Sequence, residues 1–223
     1  MTRWLDRRST PLLLGLFAGL LAVAAGLLAG GDAAERAGLA ARWTARAGLP
    51  LFLVAFLAST LTRRWPGFAT RAVLRRRRQW GLGFALAHTI HLAALGINVI
   101  VYAPGRTWQS LVGGGLAYAI LYLMALTSTD GWQRRLGRWW QRLHLFGIYY
   151  IWFIFTASYA GRAFGDDPDK RIVGIVFGSI MIAALTLRLW PRRFGRREAG
   201  EVDLPGGEQV GLFGRPAKSQ NEA

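Results

Sequence analysis

Apolar residues along this chain gather into long runs separated by short, densely charged blocks. Six of the runs come close to the roughly 20 residues a helix needs to cross a hydrocarbon core. They cover about 11–30, 49–62, 80–102, 108–127, 143–161 and 172–190. The second run is the shortest. Ala47 and Gly48 lengthen it, and Arg46 and Arg63 can lay their stems along it while the guanidinium groups reach the headgroups. The first run follows Arg3, Arg7 and Arg8 as a secretory signal would, but it exceeds the ~7 to 15 apolar residues of such a signal and is expected to stay as a span. The pattern predicts an all-α, polytopic membrane protein. A short amino-terminal segment occupies 1–10, a single bundle of six transmembrane helices occupies 11–190, and a Gly-, Pro- and charge-rich tail, 191–223, is expected to be disordered.

Counting Lys and Arg loop by loop orients the bundle. The amino-terminal segment, the loops after the second and fourth runs and the tail together carry twenty of them, against seven on the other side: Arg36, Arg42, Arg46, Arg106, Arg162, Lys170 and Arg171. Arg188 lies inside the last run and belongs to neither set. By the positive-inside rule both termini are expected in the cytoplasm, in the inner membrane of a bacterium. The acidic cluster Asp166, Asp167 and Asp169 then falls on the outer side.

Composition narrows the chemistry. Net charge is +16. In a soluble chain that would point to nucleic acid, but here the arginines flank apolar runs, where topology and anionic lipid headgroups account for them. There is no cysteine, which excludes disulfides, thiolate-ligated haem and thiolate-held iron–sulfur clusters. Gly113, Gly114 and Gly115 sit inside a span and read as close helix packing, not as a phosphate loop, and the tail carries no Gly-x-Gly-x-x-Gly motif. The aromatic set Trp139, Trp140, Tyr149, Tyr150 and Trp152 reads as interfacial belt and packing.

All three histidines fall within spans: His88 and His91 in the third, His144 at the start of the fifth. An imidazole is costly to place in hydrocarbon without a partner, and a partner that suits imidazoles on two helices is a haem iron. Spacings of three and four put Gly81, Phe84, His88, His91, Leu95 and Asn98 along one face of the third span. Gly147 follows His144 by one turn, leaving room for a flat macrocycle against the backbone. At 1.5 Å per residue His88 lies ~12 Å and His91 ~17 Å inward from Trp80, whereas His144 lies ~6 Å inward from Trp140. Height therefore favours His88 as the partner of His144, unless the fifth helix starts nearer Leu136, which favours His91. A reading without haem also stands on the residues alone: a small-solute or lipid-interacting membrane protein whose histidines pack or relay protons.

The stretch 77–91, RRQWGLGFALAHTIH, resembles the arginine-rich entry and haem-ligand helix of the ferric reductase-like transmembrane family. The pair ALTS at 125–128 and GRWWQRLH at 137–144 is similar to the segment before the second ligand helix in the haem-binding membrane subunit of the periplasmic methionine-sulfoxide reductase system. The resemblance covers about 45–165. It implies a b-type haem ligated by His91 and His144, with His88 as alternate ligand or hydrogen-bond partner. It also implies single-electron transfer from a separate soluble flavin reductase or a membrane quinone to a periplasmic reductase partner. Arg78 and Arg142 are then candidates for the haem propionates, and FMN or quinone is a further possible cofactor. The chain departs from the resembled pattern. Ala157 stands where a further histidine is usual, Pro104 and Gly105 stand at a similar step after His91, where there is no histidine, and Leu145 replaces an arginine. One haem per chain is the expectation that follows.

Overall fold

The computed structural model describes residues 7–102 and 108–190, with the side chains of 108–111 also outside the description. The tail 191–223 and most of the amino-terminal segment thus lie outside the described residues. Eight helices follow one another: α1 (Thr10–Leu28), α2 (Ala33–Arg64), α3 (Phe68–Arg75), α4 (Arg77–Ile97), α5 (Trp108–Leu126), α6 (Asp130–Leu136), α7 (Arg138–Ala163) and α8 (Pro168–Leu189). A π-helical turn, Asn98–Tyr102, continues α4. No strand occurs among the described residues. The protein is an all-α polytopic membrane protein. Five helices are each long and apolar enough to cross a bilayer, and a sixth span exists if Val112–Leu126 is counted together with Asp130–Leu136, bent from it by 104°.

The largest departure from the sequence pattern is α2. It begins at Ala33 rather than near residue 49, because Asp32 caps it by accepting the Glu35 N–H at 2.7 Å and because the segment that follows is rich in alanine. Its 32 residues make about 48 Å of helix, longer than the hydrocarbon core. Arg36, Arg42 and Arg46, expected in a loop, are therefore helical. Gly31 turns the chain from α1 into α2 at φ 107, a conformation only glycine adopts without strain.

α1, α2 and α4 pack together, α7 packs on α8 and α5, and α2–α8 and α4–α5 contacts join the two groups. Small residues bring the first group close: a Cβ on Gly15 would collide with the Gly83 carbonyl, one on Gly83 with the Pro11 carbonyl, and one on Gly26 with the backbone of Ala40. The core is aromatic, with Phe52 between Phe56 and Phe84 at ring-centroid distances of 5.4 and 5.3 Å. The outer faces of α1 and α8 expose Phe17, Leu20, Leu21, Ile172, Ile175 and Ile182, as a lipid-facing surface does.

Polar side chains tie the arginine-dense end together. Arg188 donates to the Phe56 carbonyl and to the Tyr149 hydroxyl, Arg77 donates to the Ala55 carbonyl at 3.0 Å, and Arg78 pairs with Asp130 at 2.5 Å. The tryptophans that read as an interfacial belt also link helices: the Trp140 indole donates to the Thr127 carbonyl and Trp152 to the Met181 carbonyl, both at 2.9 Å.

Candidate functional site: a histidine-lined cavity

α4 and α7 both start at the arginine-dense end and α2 returns toward it, so the far halves of α2, α4, α5 and α7 can surround a space. That space is a cavity of about 1230 Å³. Phe84, His88, Leu121 and Ile151 form its deep end, and Glu35, Arg42, Arg46, Tyr102, Arg162 and Lys170 line it toward the far ends of their helices. Five of the six residues read from sequence as one face of the third span, Phe84, His88, His91, Leu95 and Asn98, line it together. The sixth, Gly81, has open space where a Cβ would stand. The π turn that ends α4 contributes Asn98 and Tyr102 to the wall, a common placement for such turns.

The two cavity histidines are held differently. His91 Nδ1 lies 3.0 Å from the hydroxyl of Thr44 on α2, and that hydroxyl donates to the Ala40 carbonyl at 2.7 Å. Thr44 is fully buried. His88 stacks at 4.3 Å on Phe84, meets Phe155 edge-on at 5.5 Å and His91 at 5.4 Å, and its Nδ1 has no hydrogen-bond partner among the described residues. The ring is seated against Gly48, where any Cβ would collide with it. Tyr118 of α5 lies beside both imidazoles, at 6.3 and 6.4 Å, with a buried hydroxyl that likewise lacks a partner.

His144 is elsewhere. It shares the face of α7 that carries Ile151, Phe155 and Ser158, but Phe155, level with His88, is about 16 Å further along the helix. His144 Nδ1 donates to the Trp140 carbonyl at 3.0 Å and its ring stacks on Trp140 at 4.0 Å. Its Nε2 is 3.5 Å from the Ser128 hydroxyl, whose own proton goes to the Met124 carbonyl at 2.6 Å. Gly147 is turned toward α5, where Met124 and Ile120 fill the space next to it. Arg78 is engaged by Asp130, and Arg142 lies exposed over the Trp139 ring at 4.9 Å. The structure thus brings His88 and His91 to one cavity and leaves His144, Gly147, Gly81, Arg78 and Arg142 outside it. Ala157 is exposed and off the cavity wall; at that level the wall is Phe155 and Ser158.

Thr44 and Tyr118 were not named from sequence; Gly48 entered only as an extension of the second run, and the far-end cations only as topology charges. The signal for the α2 pair is the four-residue spacing of Ala40, Thr44 and Gly48, which becomes visible only when the helix is carried back to the Asp32 cap. Among the described residues no three His, Cys, Asp or Glu side chains gather into a metal site. One or two imidazoles suffice for a metal that arrives with most of its ligands, as haem iron does.

Among proteins of known name, the chain is 29% identical over 160 residues to the protein-methionine-sulfoxide reductase heme-binding subunit MsrQ of Xanthomonas euvesicatoria pv. vesicatoria, covering 69% of this chain and 70% of that protein. It is 35% identical over 132 residues to the subunit of the same name from Klebsiella pneumoniae subsp. pneumoniae, covering 52% of this chain and 63% of that one. The Xanthomonas oryzae pv. oryzae subunit matches at 29% over 160 residues. No family model and no solved structure matches. The chain is thus similar to these subunits at modest identity over about two thirds of its length, in line with the resemblance drawn from its sequence.

Proposed function

From this kinship with heme-binding reductase subunits, we propose that the chain is a b-type haem membrane subunit that passes single electrons across the bacterial inner membrane toward a periplasmic reductase partner. The observation that carries the reading is the cavity itself. Two imidazoles stand on one wall, apolar and aromatic side chains enclose the space, and four cations lie toward its far end. An amphiphile with a flat apolar body, a metal that takes a nitrogen donor and two carboxylates would match that distribution. His91 or His88 would supply the nitrogen. Phe84, Leu95, Leu121, Ile154 and Phe155 would enclose the macrocycle, and Arg42, Arg46 and Arg162 would meet the propionates. When bound, the group supplies a one-electron iron couple.

His144, with Arg78 and Arg142 near the same end, is proposed as the inner station that meets the electron donor, a soluble flavin reductase or a membrane quinone. The excess of arginine at that end supports placing it, and both termini, on the cytoplasmic side. Phe155, which meets His88 edge-on, is about 16 Å along α7 from His144, so separate tasks for His144 and the cavity histidines are part of this proposal. A reduced-minus-oxidised visible spectrum and a pyridine haemochrome assay of the purified protein test the reading. About one haem per polypeptide supports it, and a protein free of haem after expression with haem supply overturns it.

A further inference from the structure

Resting on the haem reading, we propose that α2 assigns separate tasks to the two cavity histidines. Thr44 fixes His91 as the tautomer that presents its Nε2 lone pair to iron, and Gly48 seats His88 as a wall of the cavity. The assignment follows from counting protons. The Thr44 hydroxyl has one, and it is committed to the Ala40 carbonyl at 2.7 Å, with the Ala41 carbonyl at 3.1 Å. With the proton on its shortest contact, the oxygen accepts from His91 Nδ1, 3.0 Å away, so that Nδ1 carries the hydrogen and Nε2 the lone pair; the Ala41 carbonyl is a second acceptor beside the ring. Metal-bound histidines are oriented in this way, donating their second ring N–H to a fixed acceptor, which holds the ring and raises its basicity. Thr44 is fully buried, so water does not compete for the contact.

His88 has no such anchor. Its Nδ1 is without a partner among the described residues, its ring is held by Phe84 and Phe155, and the glycine at position 48 is what allows the ring to lie against α2. Thr44 and Gly48 are four residues apart on α2, and His91 and His88 three apart on the antiparallel α4, so one stripe of α2 addresses both rings. Thr44 is a positioning residue: it acts on iron through His91.

The test uses the full chain in lipid nanodiscs. In haem-free protein labelled with ¹⁵N-histidine, and assigned with His88→Gln and His144→Gln variants, His91 should read as the Nδ1–H tautomer in wild type and Thr44→Ser, and lose that preference in Thr44→Ala. In hemin titrations Thr44→Ala should bind roughly 10- to 100-fold more weakly, with a more positive midpoint potential because the less basic imidazole favours ferric iron less. Thr44→Ser should restore both. An Nε2–H tautomer at His91, a Thr44→Ala protein with unchanged affinity and potential, or loss of iron in His88→Gln while His91→Gln retains it overturns the inference alone. A wild type that takes up no hemin overturns the haem reading, and the iron-presenting role of His91 with it.

Discussion

His88 on α4 lies edge-on to Phe155 on α7, their ring centroids 5.5 Å apart, and Phe155 is eleven residues beyond His144. At 1.5 Å per residue about 16 Å of α7 separates His144 from the residue that His88 meets. The three imidazoles therefore divide two and one between the middle and the arginine-dense end of the bundle. Their substitution should separate accordingly. His91→Ala is expected to abolish the haem absorbance, and His144→Ala to leave most of it while slowing reduction by the donor. Absorbance spectra and stopped-flow reduction of the two variants check this, and loss of all haem in His144→Ala would return that residue to the iron.

Both cavity imidazoles come from one face of α4, and the residues that α5 and α7 bring to the cavity wall include no histidine. Dithionite-reduced, haem-loaded protein is accordingly expected to bind carbon monoxide, read as a shift of the Soret band. A spectrum indifferent to carbon monoxide would show that another side chain also holds the group.

Close packing of α1 on α4 depends on glycine at two facing positions. Gly83→Val puts its branches where the Pro11 carbonyl stands, and overpacking of this kind costs about 1–3 kcal/mol. Thermal unfolding in detergent should show the loss for Gly83→Val, and little change for Gly81→Ala, which meets open space.

Asp167 caps α8 by accepting the Asp169 and Lys170 N–H groups at 3.1 and 3.2 Å, and its carboxylate lies 2.5 Å from the Lys170 ammonium. The Lys170 side chain, followed by its backbone N–H, holds this carboxyl below its ordinary value. A depressed folded-state value stabilises the cap above the unfolded value of about 3.9, and the contribution is lost as pH falls through the folded value. Hydrogen exchange in the first turn of α8 should accelerate on acidification below about pH 4, and Asp167→Asn should flatten that dependence.

Topology offers a test independent of haem. Reporter fusions after Arg64 and Arg135 should read as cytoplasmic, and fusions near Arg42 and Asp167 as periplasmic. A periplasmic signal after Arg135 would mean that α5 and α6 do not complete a sixth crossing.

The helical membrane class and the shared face of Phe84, His88, His91, Leu95 and Asn98 were legible in the sequence, because apolar run length and three-to-four spacing are local properties of a helix in lipid. The likeness around His91 and His144 was legible for the same reason, being carried by contiguous residues. What faces that stripe was not. Thr44 and Gly48 lie in a segment whose charges, Arg42 and Arg46, disguise it as a loop, and only the Asp32 cap and the packing of α2 on α4 bring it against the histidines. The separation of His144 from the cavity is likewise tertiary: depth counted along each run does not fix the axial offset of two helices, which is set by the ring contacts and glycine clefts that hold α4 and α7 in place.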